Sequence, residues 1–377
     1  MRLFALLLLD SVLLQPLRCM LGFVLRFCWH PPRRVYPANG GDTPRLFSSV
    51  AELYERLDRN VYGRGGDTAK FLGMLYYAGG KDEDWSRIRE LILPDGALKR
   101  SLREPTADAP VFSGDMLSGF LLAVYRRLPL LDDGDRALLG AVWDRATWRG
   151  WPLLFPHPVT GKRLGDRGHI WRPWWIMGSE DILTAMAWLY LGYQVTGRKR
   201  YLAAYHAFRL LQAPSLILAC ADAQLWIGGV YAIAPHNTHS KVLGWYVGYR
   251  LTGSVFFRRA LAQAYKRHGD YNADICLLAG SVINAPWHLL HGTALATDAL
   301  SKGRYPCPQD RRYLSVIWPP EMVTRSAKIE LPSSRGGDYV WERNPVKGVE
   351  LSDEKRQSLG LDVIFPAMLL LDKEMFR

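Results

Sequence analysis

Several acidic residues stand where helical runs of this chain begin, and they are the first candidates for chemistry. They are Asp115, Asp181, Asp270 and Asp274. Two carboxyl groups held near one substrate support general acid–base catalysis. We predict Asp115 and Asp181 as an acid/base pair, with Asp270 as a further catalytic residue and Asp274 as a substrate-binding residue or substitute. The alternative is that these carboxylates only cap their helices or complement the helix dipoles.

A second polar constellation, His236-Asn237-Thr238-His239-Ser240, precedes an apolar run that contains Tyr246. Histidine and tyrosine side chains can both transfer protons. We predict His239 as a catalytic residue, and Asn237 and Tyr246 as substrate-binding residues. The alternative is that Asn237 caps a helix and that the His239 ring satisfies a backbone carbonyl.

The stretch from 143 to 175 holds six of the fourteen tryptophans, interleaved with basic residues. Flat indole faces stack on the apolar faces of sugar rings, and guanidinium groups bind carboxylates with two hydrogen bonds. Arg172, Trp174 and Trp175 are therefore predicted to bind substrate. The alternative is that the tryptophans pack a long loop onto the core.

The elements that must position these residues are indicated by a repeated hexapeptide. Residues 192–197 (GYQVTG) recur as 248–253 (GYRLTG), an offset of 56 residues (248 minus 192). Each copy ends an apolar run and is followed by a second helical run, which predicts a helix, helix stops at the glycines of the repeat, and a return helix. The short Thr-Gly turns then lie at one end of the helices, and the polar segments before 179 and 240 lie at the other.

Helical periodicity dominates from residue 47 onward, and alternating βαβ patterns are absent. The predicted fold is all-α: an (α/α) toroid of helical hairpins with long loops at one end. Residues 47–377 form its single domain, and the Pro- and Gly-rich residues 30–46 form a linker. Predicted helices or hairpins cover 68–78, 83–92, 113–125, 133–148, 179–212, 239–267, 272–281, 285–300 and 359–372.

The formal charge of +12 favours anionic partners, but the basic residues are scattered and nucleic-acid binding is not expected. Five cysteines without a C-x-x-C pair give no disulfide framework or structural zinc site. His288 and His291 are spaced for one helix face, where core packing is the preferred interpretation. Phosphate-binding and dinucleotide-binding motifs are missing, so no metal or cofactor is predicted.

Residues 1–29 form an apolar or amphipathic segment that carries Asp10, Gln15, Arg18 and Arg26. The polar positions fall mostly on one side of a helix, which suits a helix at the membrane surface as well as a signal anchor. We predict membrane association through residues 1–29. A cleaved secretory signal is the alternative, although no small-residue cleavage site is visible.

The run from Trp188 to Tyr205 (WLYLGYQVTGRKRYLAAY) resembles the hairpins of the six-hairpin glycosidase-like (α/α)-barrel superfamily. The segment from Gly337 to Pro345 (GDYVWERNP) resembles a tail seen in such proteins. The similarity covers roughly residues 110–300 and points to no single family. It implies carbohydrate-active chemistry on a polysaccharide or glycan, including anionic ones, by hydrolysis or by elimination.

Three functions follow from these residues. The preferred one is a glycoside hydrolase with paired carboxylates. The second is a lyase for uronate-containing polymer, in which Asn237 neutralises the uronate and His239 moves protons; Thr238 separates these two residues, which are adjacent in the alginate-lyase pattern that they resemble. The third is non-enzymatic: a membrane-attached helical scaffold or a glycan-binding component of a larger assembly.

Overall fold

The computed structural model describes residues 68–99, 101–102, 114–149, 179–211, 235–269, 272–285, 287–302 and 361–371, with Ser48, Val50, Glu52 and Tyr54. Helix accounts for 85% of the part of the chain described, and no strand occurs in it. The prediction of an all-α protein is therefore confirmed for these residues.

Eleven α-helices are described. In chain order they are α1 (Thr68–Gly79), α2 (Asp82–Glu90), α3 (Gly114–Arg127), α4 (Asp133–Asp144), α5 (Ser179–Thr196), α6 (Lys199–Leu211), α7 (Pro235–Thr252), α8 (Val255–His268), α9 (Ala273–Ile283), α10 (His288–Lys302) and α11 (Leu361–Leu371). All eleven lie where the sequence predicted helix. The clearest difference is at α7, which begins at Pro235 and not at His239, because the polar segment before the apolar run is itself helical.

Helices α1, α3, α5, α7 and α9 have mostly buried side chains, whereas α2, α4, α6 and α8 bury one face. The apolar residues form one core cluster that extends from Val50 to Leu370. Within it α1 packs against α3, α3 against α7, and α7 against both α5 and α9. Helix α11 packs against α9 and also against α1, so these contacts return to the helix at which they began.

Two glycines bring α1 and α3 into backbone contact. A Cβ atom on Gly73 would lie 2.0 Å from the carbonyl oxygen of Gly119, and one on Gly119 would lie 2.3 Å from the Cα atom of Lys70. Only glycine allows this approach. The close packing fixes the height of Lys70 relative to α3.

The glycines of the repeated hexapeptide have two different roles. Gly197 and Gly253 adopt φ values of +66° and +62° just after α5 and α7, so they are the helix stops that the sequence predicted. Gly192 and Gly248 lie inside the helices, and the prediction that they are also stops is wrong. A Cβ atom at Gly192 would come within 2.1 Å of the Trp143 ring.

The threonine of each repeat copy closes its turn in the same way. The Thr196 hydroxyl donates to the Gly192 carbonyl at 2.7 Å and accepts from the Arg198 amide at 3.2 Å. Thr252 repeats both bonds, with Gly248 and Ser254, at the same distances. The hydroxyl thus adds a second hydrogen bond to a carbonyl of the last turn and gives an acceptor to the amide that follows the glycine.

The bundle of helices has two distinct ends, one with short turns and one where the core helices begin. The turns that follow Arg127, Thr196, Thr252 and Ile283 form what we call the turn end. The starts of α1, α3, α5, α7 and α9 form the opposite, loop end. Side-chain contacts between the first turns of these helices, given below, show that they begin at the same end.

No helix in the described ranges combines the length and the apolar character needed to cross a membrane. Residues 1–29, for which membrane association is predicted, lie outside those ranges, as do residues 30–46.

Candidate functional site

Polar side chains are concentrated in the first turns of the core helices, at the loop end. Fully buried there are Thr68, Lys70, Ser118, His239, Ser240, Asn272 and Asp274. Burying polar groups costs free energy unless they are hydrogen-bonded, and burying charges costs more. A cluster of this kind is therefore either a specific structural network or a site.

The central contact of the cluster joins α7 to α9. His239 Nε2 lies 2.8 Å from Asp274 Oδ2, and both side chains are fully buried. Asn272 caps α9 by accepting from the Ile275 amide at 3.0 Å, which places Asp274 in the first turn. A carboxylate partner fixes the orientation and tautomer of an imidazole, so the pair has the arrangement of an oriented acid–base group.

A second contact joins α7 to α1. Lys70 Nζ donates to Ser240 Oγ at 2.7 Å, and the lysine side chain is only 1% exposed. Because His239 and Ser240 are consecutive, the start of α7 is tied to α9 on one side and to α1 on the other. These contacts bring a cation, a carboxylate and an imidazole together at the loop end.

Neither Lys70 nor Ser240 was predicted as a site residue. The available signal was that Lys70 is the only charged residue between Thr68 and Gly79, in a run that is otherwise mostly apolar. An isolated lysine in such a run is buried with a partner or exposed at an edge, and the sequence does not show which.

Asp115, Asp181 and His239 lie on helices that meet in their second and third turns. A Cβ atom on Gly244 of α7 would have Ser118 of α3 and Thr184 of α5 within 4 Å. Asp115 and Asp181 each lie three residues before those contacts, and Ser240 lies four residues before Gly244. The backbones of Asp115, Asp181 and Ser240 are therefore one turn closer to the loop end than the layer formed by Ser118, Thr184 and Gly244.

The structure gives only backbone positions for Asp115, Asp181 and Asn237, all within helices. Asn237 is the third residue of α7 and not the residue that precedes it. Asp270, Arg172, Trp174 and Trp175 lie outside the described residues, so their predicted roles stay predictions.

Tyr246 lies deeper in the core than His239. It follows His239 by two helical turns, about 10 Å along the axis. Its ring is fully buried, and its hydroxyl lies 3.3 Å from that of Tyr77. Tyr77 in turn packs against Phe365 of α11 at 6.4 Å between ring centroids. Tyr246 therefore contacts core residues, and we do not carry its predicted substrate-binding role forward.

Trp143, at the start of the tryptophan-rich stretch, is a packing residue. Its ring stacks on Trp188 with centroids 4.1 Å apart, and its Nε1 donates to the Trp188 carbonyl at 2.8 Å. The alternative interpretation given above, packing onto the core, is correct for this tryptophan.

Within the described residues, no group of three His, Cys, Asp or Glu side chains is arranged to hold a metal ion. His291 is buried, and His288 Nδ1 lies 2.7 Å from the Ala285 carbonyl. Both observations agree with the packing interpretation of these two histidines. Cys276 is also buried.

A surface cavity of about 380 Å³ lies at the turn end, between α4 and the end of α5. Arg136 borders it and donates to the carbonyls of Gln194 and Val195. This arginine gives hydrogen-bond donors to carbonyls of the last turn of α5, which have no partners within the helix, so its role is to cap that helix. None of the predicted site residues lines the cavity.

In comparisons with known proteins, no family model, curated protein or solved structure matches the chain.

Proposed function

We propose that this protein is a carbohydrate-active enzyme that hydrolyses a glycan at the loop end of its helices, with Asp115 and Asp181 as the carboxyl pair. One observation carries the proposal. Helices α3, α5 and α7 meet where Gly244 faces Ser118 and Thr184. Asp115, Asp181 and Ser240 lie one turn from this layer toward the loop end, and His239, which is paired with Asp274, is the neighbour of Ser240.

We further propose that the hairpins close into an (α/α) toroid. The contact of α11 with both α9 and α1 supports closure, as does the alternation of buried helices with helices that bury one face. In such a ring the loop end is a mouth to which several helices contribute residues.

In the proposed reaction one carboxyl protonates the glycosidic oxygen, and the other activates water or attacks the anomeric carbon. Helix N-termini carry partial positive charge, which stabilises ionised carboxylates and the acidic groups of a substrate. The net charge of +12 acts in the same direction and favours an anionic glycan. His239, held by Asp274, would bind substrate or support the proton transfers.

The test is turnover by the full-length protein on a panel of neutral and acidic polysaccharides, measured as new reducing ends. Asp115→Asn and Asp181→Asn should each lower turnover by at least ~100-fold, the usual scale for loss of a general acid or base. Asp133→Asn is the matched control, because Asp133 is an exposed first-turn acid of α4 at the turn end. If all three variants retain wild-type turnover, the carboxyl assignment is wrong.

The His239–Asp274 contact favours a second candidate, a lyase acting on uronate-containing polymer. An oriented imidazole suits proton abstraction next to a carboxylate, and Asn237 precedes it on the same helix. Elimination leaves an unsaturated sugar that absorbs in the ultraviolet, whereas hydrolysis does not. Cleavage without that absorbance excludes the lyase, and cleavage with it excludes the hydrolase.

The same panel separates both enzymes from the non-enzymatic alternative. Polysaccharide that binds the protein but is not cut after prolonged incubation would identify a binding component.

A further inference from the structure

Exposed apolar side chains are unevenly placed on the described surface. The exposed large apolar residues are Leu130, Leu210, Val255, Trp287, Leu290 and Leu371. Leu130, Val255, Trp287 and Leu290 lie at the turn end, each in a turn or in the first turn of the helix that follows it. Single exposed apolar residues are ordinary, but several at one end of a bundle indicate a contact surface.

Trp287 is the most unusual of these residues. Its side chain is 70% exposed, and its backbone has a φ of +69°. The left-handed conformation is unfavourable for a bulky residue. Its carbonyl accepts from the His291 amide at 2.8 Å, so Trp287 also occupies the cap of α10, where small polar residues are preferred. A residue that violates two local preferences while exposing an indole ring is a candidate for function.

Basic residues surround this part of the turn end. Residues 194–200, 249–259 and 283–290 contain six Lys or Arg residues and no Asp or Glu. Asp144 pairs with Arg198 and Arg200. Lys199, Arg258 and Arg259 are exposed.

Apart from Asp144, the acidic residues of the turn end lie on other turns. Asp82 and Glu83 begin α2, and Asp132 and Asp133 stand at the start of α4. The turns before α6, α8 and α10 therefore form a face that is both apolar and basic. We call it the basic turn face, consisting of Lys199, Val255, Arg258, Arg259, Trp287 and Leu290.

We propose that the basic turn face docks on an anionic lipid bilayer, with Trp287, Leu290 and Val255 inserted at the level of the headgroups. Tryptophan beside aliphatic residues, flanked by Lys and Arg, is the composition that a membrane interface selects. Each basic side chain near an anionic surface adds to the attraction. A soluble polyanion would use the charges but would leave the apolar residues in water.

Docking through this face orients the molecule. The loop end, with His239 and Asp274, lies at the opposite end of the helices and would point away from the bilayer. This contact is separate from residues 1–29, for which the sequence alone predicts membrane association.

The first experiment is flotation of the full-length protein with vesicles of phosphatidylcholine, alone or in equal parts with phosphatidylglycerol. Trp287→Asn combined with Leu290→Ser should weaken binding to the mixed vesicles about tenfold, since it removes two interfacial apolar side chains. Asparagine tolerates positive φ and is a good cap, so this variant keeps the fold. Arg258→Gln and Arg259→Gln should each weaken binding about fivefold, and only on anionic vesicles.

Matched controls come from the end of α6, where Leu210 and Arg209 are exposed. Leu210→Ser and Arg209→Gln should leave vesicle binding unchanged. Binding of the turn-face variants equal to that of wild type, or absence of wild-type binding, would overturn the proposal.

Hydrogen exchange provides a second readout that holds even where residues 1–29 retain the protein on the vesicles. Amides of residues 287–291 should exchange more slowly on anionic vesicles, whereas those of residues 205–211 should not change. No slowing at residues 287–291 would show that this face stays in water.

Two other occupants are distinguished by the same variants. If Arg258→Gln and Arg259→Gln weaken binding to dextran sulfate as much as binding to vesicles, and Trp287→Asn has no effect on either, the face is a polyanion site. A dimer in sedimentation that dissociates on Trp287→Asn would indicate a second copy of the chain.

Discussion

Lys70, the third residue of α1, donates a hydrogen bond from Nζ to the hydroxyl of Ser240 on α7 at a distance of 2.7 Å. The two residues are 170 positions apart in the sequence, and both are buried. A buried ammonium group is stable only while its acceptors remain, so this bond ties together two helices at the loop end.

The first prediction concerns this bond. Ser240→Ala removes an acceptor from a buried cation and should lower the free energy of unfolding by about 2–3 kcal/mol, more than Lys70→Met at about 1 kcal/mol. The double variant should resemble Lys70→Met, because the buried ammonium group that needed the acceptor is gone. Urea denaturation of the four proteins measures the coupling. Additive losses would show that the two side chains do not interact.

A second prediction separates the His239–Asp274 pair from the cap beside it. Asp274→Ala breaks a buried ion pair or hydrogen bond and should cost about 3–5 kcal/mol of unfolding free energy. Asn272→Ala removes only the cap of α9 and should cost about 1 kcal/mol. Equal losses in chemical denaturation would mean that Asp274 acts simply as another first-turn acid.

A third prediction uses the glycines of the repeat. Gly192→Ala would place a methyl group 2.1 Å from the Trp143 ring and should destabilise by about 1–3 kcal/mol. Gly140→Ala is the control, since the nearest atom to its Cβ is the Thr196 methyl group at 3.7 Å. There the gain in helix propensity should stabilise by about 0.5–1 kcal/mol. Thermal unfolding that ranks the two variants the other way would contradict the packing.

A fourth prediction follows from Asp144. Burial raises the pKa of its carboxyl, but the hydrogen bonds from Tyr201, Arg198 and Arg200 together outweigh this and hold the pKa below its usual value. A lowered folded-state pKa gives stability that is present above the unfolded pKa, near 4, and is lost as pH falls through the folded value.

Asp144→Asn should therefore lower the unfolding midpoint at pH 7, and the difference from wild type should shrink as the pH falls below about 4. Denaturation curves over that pH range provide the measurement. Asp133→Asn is the reference for the loss of an exposed acid. A difference that is constant with pH would show that these hydrogen bonds do not depend on ionisation.

The helices were predictable because their apolar spacing is local information. The roles within the hexapeptide were not, since Gly192 and Gly197 are the same residue type and only packing against Trp143 distinguishes them. The same limit applies to Lys70 and Ser240. Their contact depends on the relative height of α1 and α7, which is set by the approach of Gly73 to Gly119.

Part of the candidate site was predictable because it depends on position along the helices and not on the details of packing. His239 and Asp274 both stand at helix starts, and helix starts on one end of a bundle meet whatever the details of packing. Tyr246 is seven residues from His239 and so lies on the same face of α7. It lies two turns farther from the loop end, however, where its ring packs among core aromatic residues.

Contacts join each hairpin to the next in chain order. Asp144, the last residue of α4, pairs with Arg198 and Arg200 and accepts a hydrogen bond from Tyr201 of α6. Helix α5 of that hairpin packs in turn against α7 of the following one. The Asp144 contacts span 54 to 57 residues, far fewer than separate α1 from α11, so they close shorter loops at a lower cost in chain entropy. The contact of α11 with α1 closes the longest loop among the eleven described helices and should form last. A nascent chain would therefore assemble hairpin upon hairpin from early synthesis, while the loop end would gain its final shape only once the last helix is made.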